Sequence, residues 1–397
     1  MKLSVIIVNY KVPDFIHQCL LSLEKASAMY ETEFFVVDNA SNDESVEVIK
    51  KMHPHVTCIE NNNNVGFSKA NNIAMRKAKG EYMLIINPDT FVSENMVEEC
   101  VKFMDNHPHV GATGVCMFDA SGKFAPESRR AVPRPMTAFY KLIGLCKRFP
   151  LNKTFGRYYL GYLNRNEASE IEILSGACMF MRSAALRKVG FFDEDYFMYG
   201  EDIDLSYRLL KGGYKNFYIP AEIVHYKGES THKNTFSYVN NFNMSMIIFF
   251  RKHFNFYSWI FEIPILVAVY FMAALGYLKV LVKKIFCKEK SIEEQRKLDK
   301  FLVVTTNAEQ DPSINLLKNK GLKFETLKAD DIVRQSGHLV YPSNLSQFEF
   351  VVYNADDFDY KDIIRYFKDS KERKPKMAIY HQDIDKIITP YYILENC

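Results

Sequence analysis

The eight cysteines, scattered from Cys19 to Cys397, include no CxxC pair and no metal-type spacing. That leaves neither a cysteine metal site nor a disulfide framework, and suits reduced, mostly buried thiols of a cytosolic protein. The first ten residues, MKLSVIIVNY, have one positive charge and no small-residue cleavage site. They read as a buried strand and not as a signal peptide. No GxGxxG follows that strand, which disfavours a nicotinamide or flavin site, and the lack of GxxxxGKS/T disfavours a P-loop. No uncharged apolar run reaches bilayer length: Ile263–Leu278 stops at 16 residues, short of the roughly 20 that span a membrane. Acidic residues are missing altogether from Arg129–Arg165, which holds nine Lys/Arg and leaves the other 360 residues at −6. Such a segment attracts phosphates, of a lipid, nucleotide or nucleic acid, unless it is simply a solvated loop.

What is present is an α/β rhythm. Leu3–Val8, Glu33–Val37, Val56–Ile59 and Tyr82–Ile86 are apolar, β-branched runs separated by helical patterns that begin near Pro13 and Gly66. This predicts a mostly parallel sheet with helices on both faces and a ligand beyond the carboxyl ends of the strands. Polar residues fall at those ends: Asn9, Asp38, Asp43 and Asp89. Asp38 can accept from a base or ribose, or can simply cap the turn DNASND. Asp89 is a candidate ligand for a hard cation, or an N-cap after Pro88. Leu174–Arg182 is strand-like, with small residues at Ser175–Ala177 that would let a ligand approach the backbone.

The densest chemistry lies in Gly190–Gly213, where Asp193, Glu194, Asp195, Glu201, Asp202 and Asp204 are interleaved with aromatics ahead of a helix that ends at Gly212-Gly213. Acids at a helix start complement its dipole, but a carboxylate pair walled by aromatics also suits a general base. His225 is either a ligand or a structural histidine.

Taken together and in this order, SVIIVNY, VVDNASND, NVGFSKANN, INPDT, SGACMFMR, FFDEDYFMYGEDIDLSYRL and IVHYKGEST resemble family 2 glycosyltransferases over about residues 1–255, closest to the rhamnosyltransferase-like branch of bacterial surface-polysaccharide synthesis. The resemblance implies a GT-A fold and inverting transfer, perhaps of rhamnose, from a nucleoside-diphosphate sugar to a glycan or lipid-linked glycan. It implies Val8, Asn9, Tyr10 and Asp38 at the nucleoside, and Gly66, Phe67 and Asn72 shaping the donor pocket. Lys69 would lie near a phosphate, with Asn87 beside the metal motif. Asp202 would be the base, with Glu201 next to it. Asp89 and His225 would hold Mg²⁺ or Mn²⁺, although Asn87 stands where the family motif has a first carboxylate. The alternatives are a polyprenyl-phosphate glycosyltransferase and a non-catalytic nucleotide-sugar or glycan-binding subunit. No nucleic-acid partner is expected.

The expected organisation is a catalytic domain at 1–242, amphipathic or membrane-associating helices and linker at 243–298, and a small α/β domain of unknown role at 299–397. The apolar stretch 259–282 reads first as an interfacial or re-entrant helix, with a span or a packing or dimer helix as alternatives. A peripheral enzyme on the inner face of the cell membrane follows. His338, Asp356, Asp357 and His381 are expected mainly in loop and cap roles.

Overall fold

The computed structural model describes residues 1–226, 236–254, 296, 298–341, 344–368 and 375–396, with side chains of the 236–254 helix from Met244 onward. The stretch 259–282 lies outside the described residues, among which no helix is long and apolar enough to cross a membrane.

Two sheets organise the chain. In the first, β1 (Leu3–Asn9), β2 (Thr32–Asp38), β3 (Thr57–Glu60) and β4 (Tyr82–Ile86) form a parallel half in the order β3-β2-β1-β4. The apolar runs alternate between two cores, as a period of two dictates. Leu3, Val5 and Ile7 of β1, with Tyr82, Leu84 and Ile86 of β4, pack beneath the helices Pro13–Ser27 and Met96–Asn106. Ile6, Val8, Met83 and Ile85 face Ala70, Ala74, Leu205 and Leu209 on the other side. Helices on both faces, as the sequence predicts, follow from this double burial.

The second half of that sheet is mixed, which the strand rhythm did not reveal. After β5 (Thr90–Val92), β6 (Val110–Phe118) and β7 (Ser169–Ile171), strand β8 (Cys178–Arg182) runs antiparallel between β4 and β6. The segment Lys215–His225 is one long strand, β9, that pairs with β6, β7 and β5.

The boundary expected at residue 242 falls inside a helix, Phe236–His253, and so moves beyond it. The described end of this helix packs on the catalytic domain. Phe249 is buried with Tyr196 and Ile203, and Ser245 Oγ donates to the Met198 carbonyl.

The second sheet begins at β10 (Lys300–Thr305) and continues with β11 (Lys323–Lys328), β12 (Phe350–Asn354) and β13 (Lys376–His381), all parallel, in the order β11-β10-β12-β13. Two short antiparallel strands that the sequence reading passed over, β14 (Lys386–Ile388) and β15 (Ile393–Glu395), complete it. This unit is docked on the first. Phe91 and Tyr226 share a core with Tyr360 and Phe367. Met377 N–H donates to the Ala120 carbonyl, and Lys368 and Lys386 pair with Glu222 and Asp14. Glu94 caps the helix Tyr360–Lys368 from across the interface by accepting from the N–H groups of Tyr360 and Lys361 at 2.7 and 2.9 Å.

That trans cap ties the two units together. Glu94→Ala is expected to cost about 1 kcal/mol, as loss of an N-cap does. Thermal unfolding of the full chain would show one lowered transition, whereas an unchanged transition would mean that the cap carries no stability.

Candidate functional site

A cavity of about 340 Å³ opens at the carboxyl ends of β4 and β9, where a ligand site is expected in an open α/β sheet. On one side it is lined by Asn87 and His225 and on another by Glu201 and Asp202, with Arg130 and Phe67 between them.

Strand register explains the first wall. Thr90 of β5 pairs with His225 of β9, and Tyr226 N–H donates to the Asp89 carbonyl. This sets His225 Nε2 3.2 Å from the Asp89 carboxylate, which is 1% exposed, with Asn87 Nδ2 3.4 Å from the same imidazole.

The start of the helix Glu201–Lys211 supplies another part of the lining. Tyr199 and Gly200 precede it in left-handed backbone, with φ of 70° and 81°. For a tyrosine that conformation is costly and is kept only where surrounding structure imposes it. The turn aims the helix start, and with it two adjacent carboxylates, into the cavity. Both are buried, at 6% and 8% exposure. Asp202 accepts from Gly176 N–H at 3.0 Å and from Ile203 N–H at 2.8 Å, and is ion-paired with Arg130. Gly176 packs closely here: a Cβ there would lie 3.3 Å from that of Asp202, so the carboxylate would have to give by a few tenths of an ångström. Glu201 Oε2 has no hydrogen-bond partner among the described residues. Burial, then the charge of Asp202, pushes the Glu201 carboxyl up to about 8.

Arg130 is what the sequence reading missed. The acid-free segment was taken as a surface that attracts phosphate, but its first two arginines point inward. Arg129 donates to the Leu163 carbonyl and lies over the rings of Phe124 and Tyr218. Arg130 reaches Asp202 and the Leu174 carbonyl, and Arg134 and Arg157 approach Glu172. Lys141 lies 3.9 Å from the ring centre of Tyr158 at the cavity mouth.

Three of the remaining acids of the 190–213 stretch, Asp193, Glu194 and Asp204, are structural, and Asp195 is exposed. Asp193 pairs with Lys252, and Glu194 with Arg76. Burial alone would raise Asp204, but His253, Arg208 and Lys252 outweigh it and bring the carboxyl down to about 2. Arg208 also ties the loop down through the carbonyls of Val189, Gly190 and Phe191.

At the neighbouring strand ends, Asn9 and Asp38 lie in register, and Asn9 Nδ2 donates to Asp38 at 2.9 Å. Asp38 also accepts from Ser41 N–H, and Val8 is buried while Tyr10 is half-buried. Lys11, Ala40 and Asn42 all have positive φ, so both loops turn sharply here. Asn39 organises the asparagine run after β3, accepting from Val65 N–H and donating to Asn64. Gly66 (φ 86°) cannot carry a side chain, because its Cβ would lie 2.5 Å from the Phe197 carbonyl oxygen, which accepts from Phe67 N–H.

Two expected residues are placed differently. Asn72 is spent on holding the acidic loop: its amide donates to the Phe192 carbonyl and Glu194 and accepts from Phe192 N–H. Its influence on a donor pocket is therefore indirect. Lys69 is exposed, and its charge helps to lower the Glu194 carboxyl.

A carboxyl raised from 4.5 to about 8 holds a proton in the folded chain that the unfolded chain has released. Folding stability should therefore fall as pH rises through that window. Glu201→Gln removes this dependence, so the variant should gain stability over wild type between about pH 5 and pH 9. Denaturation curves that stay parallel across the range would remove the raised carboxyl.

Comparison with known proteins bears on the family and the fold. Residues 4–190 match the glycosyl transferase family 2. The chain is 28% identical over 259 residues to the N-acetylglucosaminyl-diphospho-decaprenol L-rhamnosyltransferase of Mycobacterium tuberculosis, covering 62% of this chain and 83% of that protein. It is 25% identical over 240 residues to the rhamnosyltransferase WbbL of Escherichia coli, covering 56% and 82%. Among solved structures, TarS of S. aureus aligns with a TM-score of 0.43 at 20% identity, over 62% of this chain and 39% of that one. With polar strand ends and an acidic helix start in one α/β domain, the chain is a glycosyltransferase of GT-A fold whose residues 4–190 match glycosyl transferase family 2.

Proposed function

We propose that the chain transfers a hexose, with rhamnose as the first candidate, from a nucleoside-diphosphate sugar to a hydroxyl of a lipid-linked glycan, with inversion. The single observation that carries the reading is that one cavity is lined both by Glu201 and Asp202 and by Asn87 and His225, with Asp89 3.2 Å from His225. The nucleoside rests on Val8, Asn9, Tyr10 and Asp38, with Gly66 and Phe67 closing the donor side.

Asp202 is the general base. A Glu201 carboxyl pushed up to about 8 already carries its proton at neutral pH and can only donate. Asp202 lies at the cavity, and Arg130 balances its charge. For Asp202 to take the acceptor proton, the guanidinium must yield part of its contact as the acceptor hydroxyl arrives. An attack from this side on the anomeric carbon expels the diphosphate toward the other wall, which gives inversion in one step.

The donor set there fits a hard divalent cation. One buried carboxylate and one imidazole 3.2 Å apart can share an ion whose remaining ligands are diphosphate oxygens and water. Asp89 and His225 would hold Mg²⁺ or Mn²⁺, which supplies charge neutralisation for the leaving group.

A lipid-linked acceptor is supported by the surface beside the cavity mouth. The helix Pro135–Leu142 and the turns after it expose Met136, Phe139, Ile143, Phe149 and Leu151, interspersed with Lys147, Arg148 and Lys153. Apolar side chains ringed by cations suit an anionic membrane interface. On this reading the enzyme is peripheral on the inner face of the cell membrane. The names of the two rhamnosyltransferase relatives support the sugar, and the decaprenol relative supports the acceptor class.

Purified chain with Mg²⁺ or Mn²⁺ is to be screened against UDP-, GDP- and dTDP-sugars by thermal shift and by turnover on a lipid-linked glycan. Asp202→Asn should lower turnover by about 10²–10⁴-fold while keeping the donor-induced shift; retained turnover removes Asp202 as base. Asp89→Ala should lose the metal-dependent part of the shift. Transfer to bare polyprenyl phosphate would replace the glycan acceptor with the lipid phosphate itself. Separately, Phe139→Asp combined with Leu151→Asp should abolish flotation with anionic vesicles; undiminished flotation would put membrane contact elsewhere.

A further inference from the structure

Away from the cavity, where the second sheet meets the first, lies a cluster that the transfer reaction does not use. His17 sits on the inner face of the helix Pro13–Ser27, His381 ends β13, and Asp383 lies in the turn that follows. One ligating atom from each falls within 4.8 Å of the others, the one such group of three or more found among the described residues. We propose that His17, His381 and Asp383 form a divalent metal site, of zinc type, that staples the C-terminal domain to the catalytic domain.

Four observations carry the proposal. Both imidazoles are 1% exposed, and His381 Nε2 has no hydrogen-bond partner among the described residues. A buried imidazole nitrogen left without a partner is costly, and a metal ion satisfies it. His17 Nε2 stands 2.9 Å from Asp383 Oδ2. Two ligands about 2.05 Å from a tetrahedral ion lie roughly 3.3 Å apart, so the pair has only to open by a few tenths of an ångström.

The third observation is the support behind His17. Its Nδ1 lies 2.9 Å from His53 Nε2, and His53 Nδ1 lies 2.7 Å from Glu24, which also pairs with His55 at 3.1 Å. A ligating histidine typically has its other ring nitrogen held by an outer partner that ends in a carboxylate, which fixes tautomer and orientation. The fourth is the donor chemistry. Two imidazoles and one carboxylate, with Asp383 half-open to solvent at 38%, leave a fourth position for water and suit zinc better than magnesium or calcium. Burial holds His381 well below the usual histidine range, in the neutral form that ligates.

The site bridges the domains. His17 is on the helix that leads out of the Asn9–Val12 loop, whereas His381 and Asp383 belong to the second sheet. A bound ion would hold that helix against the second sheet independently of the metal at Asp89.

The test measures zinc in the full chain after dialysis into metal-free buffer, with affinity determined by competition against a chromophoric chelator. Wild type and Asp89→Ala should each retain about one zinc per chain, which separates this site from the catalytic one. His381→Gln should lose it. Asp383→Asn, at a position exposed enough to fold normally, should bind at least tenfold more weakly. His53→Gln should weaken binding by about 10–100-fold through the outer contact. Zinc should also raise the unfolding temperature of wild type and not of His381→Gln. A wild type that holds no zinc, or variants that hold it as tightly, would leave an ordinary buried His–Asp pair and overturn the proposal.

Discussion

Two neighbouring carboxylates at the start of one helix, both nearly buried, cannot both be charged without a cation, and the molecule supplies that cation from a long way off. Glu201 gives way by keeping its proton. Asp202 is matched by Arg130, 72 residues earlier in the chain. To bring that guanidinium in, the chain after β6 has to wrap over the helix start. Arg130 pairs as an isolated bridge with Ile173, and Arg129 is locked among Phe124, Tyr218 and the Leu163 carbonyl. Gly176 and the strained Tyr199-Gly200 turn complete the fit. Removing one partner of such a pair leaves a buried, uncompensated charge, typically a loss of about 3–5 kcal/mol. The site's architecture and the course of residues 124–176 are thus one problem with one solution.

The other half of the site rests on backbone register. In a parallel sheet all strands deliver their carboxyl ends to one edge, so Asn9, Asp38 and Asn87 gather there without specific side-chain forces. The antiparallel return of β5 along β9 then places Asp89 against His225. These are the elements on which the C-terminal unit sits: Phe91 of β5, Tyr226 after β9 and the helix Pro13–Ser27 form the interface with Tyr360, Phe367 and the His17 cluster. The second sheet therefore buttresses the strands that carry Asp89 and His225, whose carboxyl ends open on the cavity.

This division also marks what could be read in the sequence. The parallel half was legible because each of its strands is buried on both faces and appears as an unbroken apolar run. The acidic helix was legible from its start, its periodicity and its Gly212-Gly213 stop. Strand β9 is hard to read in the sequence because Pro220 and alternating polar residues obscure its middle, and the register shifts opposite β6 accommodate that irregularity. Arg130 could not have been chosen from nine cations in an acid-free segment, since what singles it out is a contact 72 residues away. The lack of acids in that segment was nonetheless a real signal: its leading arginines take their counter-charges, Asp202 and Glu172, from outside it. The apolar residues at the described end of the helix Phe236–His253 pack with Tyr196, Ile203 and Tyr207, a use that an apolar stripe does not reveal by itself.

The six acids of the 190–213 stretch show why a motif overstates a site. Their spacing suggests one functional cluster, yet each lies in a different electrostatic setting. Asp204, with no exposed surface, is held ionised by a hydrogen bond with His253 and by Arg208 and Lys252, and fastens the Phe236–His253 helix to the acidic one. Asp193 and Glu194 fasten loops to Lys252 and Arg76. Only Glu201 and Asp202 face the cavity. The structural acids are not incidental to the catalytic pair, however. Helix, loop and Gly66–Phe67 turn are fixed to one another by those pairs and by the Asn72 amide, so the orientation of the helix start is over-determined. Positive φ at a tyrosine can persist only under that kind of constraint. The placement of the two cavity-facing carboxylates thus depends on three others, Asp193, Glu194 and Asp204, that do not line the cavity.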